Sequence, residues 1–208
     1  NMKKLVVLLL ASLVATSAFA VMDPDPNGIG IYFDLTADNN CSEQAASVPF
    51  WAYVILTNTT APSVSGYEVS YEFVGPAPGT VFRLNSLIAN GDVSGLDLGD
   101  SADALVGFHI VGLASPLIAS EATVLHAWQL MLLAPATMEM HISSAPQSSI
   151  EGPYPVILNA DDNTLFQAFH STGTDELGEP SYPVATVNGD CVVGVEDVSF
   201  GSVKSLFR

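Results

Sequence analysis

Basic residues are scarce in this sequence. Lysine and arginine together number 5, whereas aspartate and glutamate number 22, and the formal net charge is −17. Nucleic acids and anionic membrane surfaces are bound through cationic patches, so this balance excludes both as partners. The compatible surroundings are a polycation, divalent metal ions, a high-salt medium or an extracellular solution in which the acidic surface keeps the chain soluble.

The sequence motifs of catalysis are also missing. There is no Gly-x-Ser-x-Gly elbow, no His-Glu-x-x-His and no glycine-rich phosphate loop. The histidines lie far apart on predicted strands, without the short spacing of a structural zinc site: His109, His126, His141 and His170. We therefore expect packed or surface histidines in a protein that is not an enzyme. A secreted hydrolase with a spatially formed pair of carboxylates is the last alternative.

The first twenty residues have the pattern of a secretory signal peptide. Lys3 and Lys4 form a basic region, residues 5–14 form an apolar run, and the segment 18–20 (AFA) supplies the small residues that signal peptidase needs. An uncleaved anchor is the alternative, although the run is short for a membrane span. Export predicts a secreted or cell-surface protein with no membrane span after cleavage.

Cysteine occurs twice, at Cys41 and Cys191. An even number in an exported chain indicates a disulfide, because disulfides persist outside the cytoplasm. The bond would close a loop of about 150 residues and contribute on the order of 4–5 kcal/mol in the chain-entropy treatment. Two free buried thiols and an intermolecular bridge are the alternatives.

From residue 28 onward the sequence indicates short strands separated by turns. In residues 66–74, for example, aromatic and apolar side chains alternate with polar ones. The other apolar segments are 29–35, 48–56, 81–87, 105–111, 124–133, 138–142, 156–158 and 165–169. About eight to ten strands without long amphipathic helices predict an all-β protein, an antiparallel β-sandwich of Ig-like or jelly-roll type.

The chain divides into three predicted parts: the signal peptide (1–20), a β-sandwich domain (21–171), and an acidic linker with a C-terminal tail (172–208). The predicted disulfide would tie the tail back to the start of the fold. Within the tail, Val203, Leu206 and Phe207 can share one helical face. We expect a docked terminal helix, with a sorting or assembly element as the alternative.

Two segments carry resemblances to known families. Residues 48–54 (VPFWAYV), 65–71 (SGYEVSY), 127–130 and 138–142 resemble strands of secreted cohesin and carbohydrate-binding modules. This resemblance implies a cohesin-like sandwich that binds a protein or a glycan. The tail resembles part of a dockerin calcium loop, with Asn188, Asp190 and Asp197 at ligand positions. Thr186 and Cys191 depart from that loop, because they replace its first aspartate and its turn glycine.

Calcium is the one cofactor that the acidic residues suggest. Four carboxylates crowd the segment 90–103, and converging loop carboxylates can hold this ion: Asp92, Asp97, Asp100 and Asp103. Ordinary turn formation is the alternative. Residues 23–28 (DPDPNG) followed by Asp34 also match the start and end of a calcium loop, although no helix precedes them and a flexible mature N-terminus explains them as well.

The predicted binding residues are Trp51 and Tyr53. They share one parity on their strand, opposite to Phe50 and Val54, so they can form an outward aromatic pair. Exposed aromatic patches often mark function, and burial of both strand faces is the alternative. We expect a non-enzymatic module that binds an extracellular partner or glycan. The first alternative is a structural subunit of an extracellular filament, matrix or surface layer that self-associates through residues 198–208.

Overall fold

The computed structural model describes residues 25–89, 95–172 and 182–191. Thirteen β-strands form the regular structure of these ranges. Their bounds are β1 Gly28–Tyr32, β2 Cys41–Ser42, β3 Pro49–Thr57, β4 Ser63–Val74, β5 Val81–Ile88, β6 Leu96–Asp97, β7 Val106–Ile118, β8 Ala122–Leu132, β9 Met138–Ser143, β10 Val156–Asn159, β11 Leu165–Gln167, β12 Phe169–His170 and β13 Ala185–Val187.

The strands form two sheets. The five-stranded sheet has the order β12-β1-β3-β8-β5. In the eight-stranded sheet, β4 pairs along one edge with β7, which in turn pairs with β6. Along its other edge β4 pairs first with β10 and then with β9, and β11, β13 and β2 lie further out. The predicted all-β sandwich is confirmed, although β1–β12 and β2–β13 are parallel pairs in sheets that are otherwise antiparallel.

The core lies between the sheets and follows from period-two patterning. On β3 the side chains of Phe50, Ala52 and Val54 are buried, while Trp51 and Tyr53 between them are partly exposed. The inner side chains of β4 and β8 meet them in one continuous cluster: Tyr67, Val69, Tyr71, Phe73, Leu125, Trp128, Leu130 and Leu132. Burial of alternating apolar side chains is the main stabilising term for such a fold.

Two predicted segments have different outcomes. The segment 124–133 forms a strand, β8, as predicted. The segment 165–169 is two strands in different sheets. The backbone amide of Ala168 donates to Pro155 O, beside β10, whereas that of Phe169 donates to Asn27 O, beside β1. The chain therefore crosses between the sheets within one residue, a change that alternation along the sequence does not reveal.

The predicted disulfide between Cys41 and Cys191 is present, with the two sulfur atoms 2.12 Å apart. It lies beside the parallel pair in which Thr186 of β13 is opposite Cys41 of β2. Residues 185–187 therefore belong to the eight-stranded sheet. The predicted signal peptide, most of the acidic linker and residues 192–208 lie outside the described residues. Within the described ranges, no helix has the length and hydropathy needed to cross a membrane.

Candidate functional site

Trp51 and Tyr53 lie on the outer face of the five-stranded sheet. Their side chains are partly exposed, and their rings are nearly parallel, with 6.2 Å between centroids and 11° between planes. Each ring therefore covers part of the other. The structure places these two predicted binding residues side by side.

The same outer face continues across β8 and β5 in three cross-strand rows. Trp51 is opposite Gln129, which is opposite Asn85, and the Asn85 amide donates to Gln129 Oε1 at 2.5 Å. The flanking rows are Tyr53–Ala127–Leu87 and Pro49–Met131–Phe82. Phe82 and Leu87 are 49% and 43% exposed. We call the surface formed by these nine residues the outer face.

The outer face carries no charge. The three strands β3, β5 and β8 contain no carboxylate and no lysine. Their two basic side chains, Arg83 and His126, point inward and bond to the opposite sheet. An uncharged surface with exposed apolar side chains on so acidic a chain is the kind of patch that marks an interaction site.

One end of the outer face is closed by the chain itself. Tyr32, Ala37 and Ile55 form a second small core there, against which Tyr53 packs. The covering turn is held by Asp34, whose Oδ1 accepts from the amides of Thr36 and Asp38. Asp34 was predicted at the end of a calcium loop, and here its carboxylate closes a turn.

Behind the outer face, the core contains a polar cluster centred on two histidines. The rings of His109 on β7 and His126 on β8 stack at 4.0 Å between centroids, and each residue is 1% exposed. We call these two residues the histidine pair. Sequence reasoning expected packed histidines but did not bring these two together; the one available signal was that His126 and Trp128 share the inward parity of β8.

Proton positions on His109 follow from its partners. The Trp128 indole nitrogen donates to His109 Nε2 at 3.3 Å, and indole has no acceptor, so Nε2 carries no proton. His109 Nδ1 therefore donates to Asp97 Oδ2, at 2.6 Å. Burial raises the pKa of Asp97, but hydrogen bonds from His109 and from the amides of Gly99 and Ile110 outweigh burial and hold this pKa below its usual value.

His126 is bonded on both sides. Its Nδ1 lies 2.8 Å from the Tyr67 hydroxyl, and its Nε2 lies 2.7 Å from the Ser86 hydroxyl. Burial, together with the adjacent His109, holds the pKa of His126 well below its usual value, although Asp97 opposes the shift. Ser86 is exposed, so the polar cluster reaches the surface beside β5.

Arg83 closes the same side of the sandwich. Its guanidinium lies over the Tyr71 ring, 5.4 Å from the centroid, and donates to the Tyr71 hydroxyl. Both the guanidinium and this hydroxyl also donate to the backbone oxygen of Asp103, at 3.0 and 2.8 Å. Burial raises the pKa of Tyr71, while Arg83 opposes the increase.

The predicted calcium ligands are engaged in turns where they are described. Asp100 Oδ1 accepts from the Ala102 amide and Asp103 Oδ1 from the Leu105 amide, while Asp97 faces His109. Asp92 lies outside the described residues. Across the described ranges, no group of three or more His, Cys, Asp or Glu side chains could hold a metal ion. A calcium site that includes Asp92 stays a prediction.

The dockerin-like segment is built into the fold at Asn188. Its Oδ1 accepts from the Gln44 amide at 2.7 Å, and its Nδ2 donates to Gln44 O and Ala136 O. Asp190 is exposed, and Asp197 lies outside the described residues. The described part of this segment therefore has a structural role, because the Asn188 side chain is used to join loops.

Comparison with solved structures finds cohesin modules. A type II cohesin dyad from the adaptor ScaA scaffoldin of Acetivibrio cellulolyticus matches with a TM-score of 0.51 and 13% identity, over 79% of this chain and 49% of that chain. The cohesin of the Coh-OlpA–Doc918 complex from Clostridium thermocellum matches with a TM-score of 0.49 and 9% identity, over 77% of this chain and 98% of that chain.

The sixth cohesin of Acetivibrio cellulolyticus scaffoldin B, solved with a Cel5 dockerin, matches with a TM-score of 0.48 and 11% identity, over 78% of this chain and 98% of that chain. This chain spans about half the length of the dyad. No protein-family model and no curated protein matches the sequence. The chain folds as a cohesin-like β-sandwich, and at these identities the likeness concerns the fold alone.

Proposed function

We propose that this protein is a secreted or cell-surface binding module without catalytic activity, which holds an extracellular protein against its outer face. The observation that carries the proposal is the absence of charge from the outward side of three adjacent strands of a strongly acidic chain. Phe82 and Leu87 are exposed there beside the Trp51–Tyr53 pair. Aromatic side chains are enriched in protein interfaces, and charged residues are depleted from interface cores.

The apolar character of the outer face favours a protein over a glycan as the partner. A glycan needs several hydrogen-bonding groups and freely exposed ring faces, whereas Trp51 and Tyr53 partly cover each other. The Asn85–Gln129 amide pair is the polar feature in the middle of the face. Glycan binding is therefore the second outcome that an experiment on this surface has to distinguish.

Proton positions at Ser86 support a role without catalysis. Among the described residues, His126 Nδ1 is the acceptor within reach of the Tyr67 hydroxyl proton. His126 then carries its own proton on Nε2 and donates it to Ser86. A nucleophilic serine requires the reverse arrangement, in which the hydroxyl donates to the histidine. The lowered pKa of His126 also makes it a weak base.

The test compares the outer face with an exposed aromatic residue elsewhere. Wild type, Trp51→Ala, Leu87→Asp and the control Tyr182→Ala are each incubated with extracellular proteins of the producing cells and with an array of neutral glycans. We expect one protein to be retained by wild type and the control and lost from the two outer-face variants. Equal retention by all four variants would contradict the proposal, and Trp51-dependent retention of a glycan alone would change the ligand class.

A second candidate function is that of a self-assembling structural subunit. A cleft of about 700 Å³ beside Cys191 is lined by Glu43, Glu139 and Asp190. The following segment, residues 192–208, contains Lys204 and Arg208. Light scattering on residues 21–208 and on a chain ending at Asp197 tests this candidate. It is supported by assembly of the long form alone and rejected if both forms are monomeric.

A further inference from the structure

The histidine pair joins the two sheets through two hydrogen bonds that run in opposite directions. His109 belongs to the eight-stranded sheet and accepts from Trp128 of the five-stranded sheet. His126 belongs to the five-stranded sheet and is bonded to Tyr67 of the eight-stranded sheet. Each imidazole is also held within its own sheet, His109 by Asp97 and His126 by Ser86.

In both hydrogen bonds, the ring nitrogen that accepts is the one that a further proton would occupy. A proton on His109 Nε2 would face the indole N–H of Trp128, which can only donate. The Tyr67 hydroxyl could turn and accept from a protonated His126 Nδ1. Its own proton would then have no acceptor within the described part of the chain. A further proton on His109 would therefore remove the bond from Trp128, whereas a further proton on His126 would leave the buried Tyr67 hydroxyl proton without its acceptor.

The surroundings make an additional positive charge on His126 unfavourable. His109 lies against it at 4.0 Å, and Arg83 approaches from β5. The negative groups nearby are already engaged, since Asp97 of β6 bonds to His109, and Asp100 and Asp103 cap their own loop. The remaining titratable neighbours, Tyr67 and Tyr71 of β4, have pKa values raised by burial and stay neutral.

The side of the sandwich formed by β6 and residues 98–105 is held by few backbone bonds, one of which, Phe73 N to Leu105 O, joins it to β4. The β6 strand has two residues, and the loop after it is joined to β7 by the bonds Leu98 N to Ile110 O and Phe108 N to Asp100 O. Asp97 adds two more, because its Oδ1 accepts from the amides of Gly99 and Ile110. The rest of the sandwich has the long β4–β7, β3–β8 and β5–β8 pairings and the disulfide.

We propose that the histidine pair is an acid-sensitive latch: a proton taken up by His126 deprives the buried Tyr67 hydroxyl proton of its acceptor between the sheets and opens the side formed by β6 and residues 98–105. The remainder of the domain stays folded at that stage. Water then reaches the polar cluster through the exposed position of Ser86. The latch is separate from the proposed outer-face function, because its residues lie on the inner side of the same strands.

The first experiment uses Trp128 as the reporter. The chain has two tryptophans, so a Trp51→Phe variant leaves Trp128 as the one that emits. Its emission and the far-ultraviolet circular dichroism are followed from about pH 8 to about pH 4, the range in which histidine takes up protons. We expect a change in Trp128 emission at a higher pH than any loss of strand signal. The change should persist in His170→Gln and be absent in His126→Gln.

A second measurement covers the case in which His126→Gln does not fold. Hydrogen exchange of wild type is followed at the amides of Gly99, Phe108 and Ile110 and at those of the β4–β9 pairing, corrected for the intrinsic effect of pH. We expect the protection of the Gly99, Phe108 and Ile110 amides, the first set, to fall at least tenfold on acidification. The amides of the β4–β9 pairing, the second set, should keep their protection. The proposal is overturned if both sets lose protection together, if neither does, or if the emission change survives in a folded His126→Gln variant.

Discussion

The inner and outer faces of the five-stranded sheet are built from the same strands but are held in different ways. On the inner face, His126 and Trp128 are buried and bonded to the opposite sheet. On the outer face, Gln129 and Leu87 extend the surface of the Trp51–Tyr53 pair, and the Gln129 side chain bonds to Asn85 of the same sheet. Stability should therefore depend on the inner face and binding on the outer face, and mutations should separate the two.

The largest effect is expected from Trp128→Ala. This side chain is fully buried among Tyr71, Phe73 and the histidine pair, and its removal leaves a cavity. We expect a loss of about 3–5 kcal/mol in the free energy of unfolding. Urea unfolding measures it, with Trp128→Phe as a control that keeps most of the volume. A loss below about 1 kcal/mol would contradict the division between the faces, since surface substitutions have effects of that size.

The next largest effect is expected from acidification, and the lowered pKa of His170 gives the direction and the size of the change in folding stability. Burial, and secondarily His141, hold the pKa of His170 at about 4, against 6.5 for a free imidazole. The unfolded chain therefore takes up a proton before the folded chain does. The contribution of His170 to the free energy of unfolding is fully present above about pH 6.5 and falls as the pH drops. Below about pH 4 the loss due to this residue is about 3 kcal/mol. The lowered pKa of His126 acts in the same direction.

Urea unfolding at neutral and acid pH measures this dependence. His170→Gln has no imidazole at this position, so its stability should vary less with pH than that of wild type. An identical pH dependence in the two proteins would show that His170 does not contribute as described.

Tyr67→Phe should have an intermediate effect. The substitution keeps the ring and removes the hydroxyl bonded to His126 Nδ1, so a buried acceptor is left without a donor. We expect a loss of about 1–3 kcal/mol in the free energy of unfolding. Tyr53→Phe on the outer face of β3, in the opposite sheet, is the matched control and should lose less. Equal losses would mean that the hydrogen bond between the sheets does not stabilise the fold.

The smallest effect on stability is expected from Trp51→Ala, which should nevertheless have the largest effect on binding. The ring is partly exposed on the outer face, so its removal leaves no enclosed cavity. We expect a change of less than about 1 kcal/mol in urea unfolding together with loss of partner retention. A large destabilisation with binding intact would reverse the roles assigned to the two faces.

Local alternation was sufficient to predict most of the strands. The positions Phe50, Ala52 and Val54 point inward as their parity indicates, and Trp51 and Tyr53 point outward. Alternation failed where the chain changes sheet between Gln167 and Phe169, because nothing in the local pattern of these short strands marks the change of hydrogen-bond partners. The predicted disulfide was confirmed, because a chain with two cysteines has one possible intramolecular pairing.

The acidic segment 90–103 shows where sequence reasoning was limited. Four aspartates close together along the chain predicted converging carboxylates, yet Asp97 faces a histidine on β7 while Asp100 and Asp103 bond to backbone amides of their own loop. Proximity in sequence fixes how far apart these residues can be, but it does not fix the direction of their side chains. That direction depends on which strand packs against the loop.

The sequence by itself determined the class of this protein: an acidic, all-β chain with one disulfide, whose strands each have an inner and an outer side. These properties depend on composition and on period-two patterning, which act locally. Only the tertiary structure decided that His109 and His126 stack across the sandwich and that three strands with uncharged outward sides lie side by side. Both depend on sheet order and on the register between sheets, which arise when many distant segments pack at once.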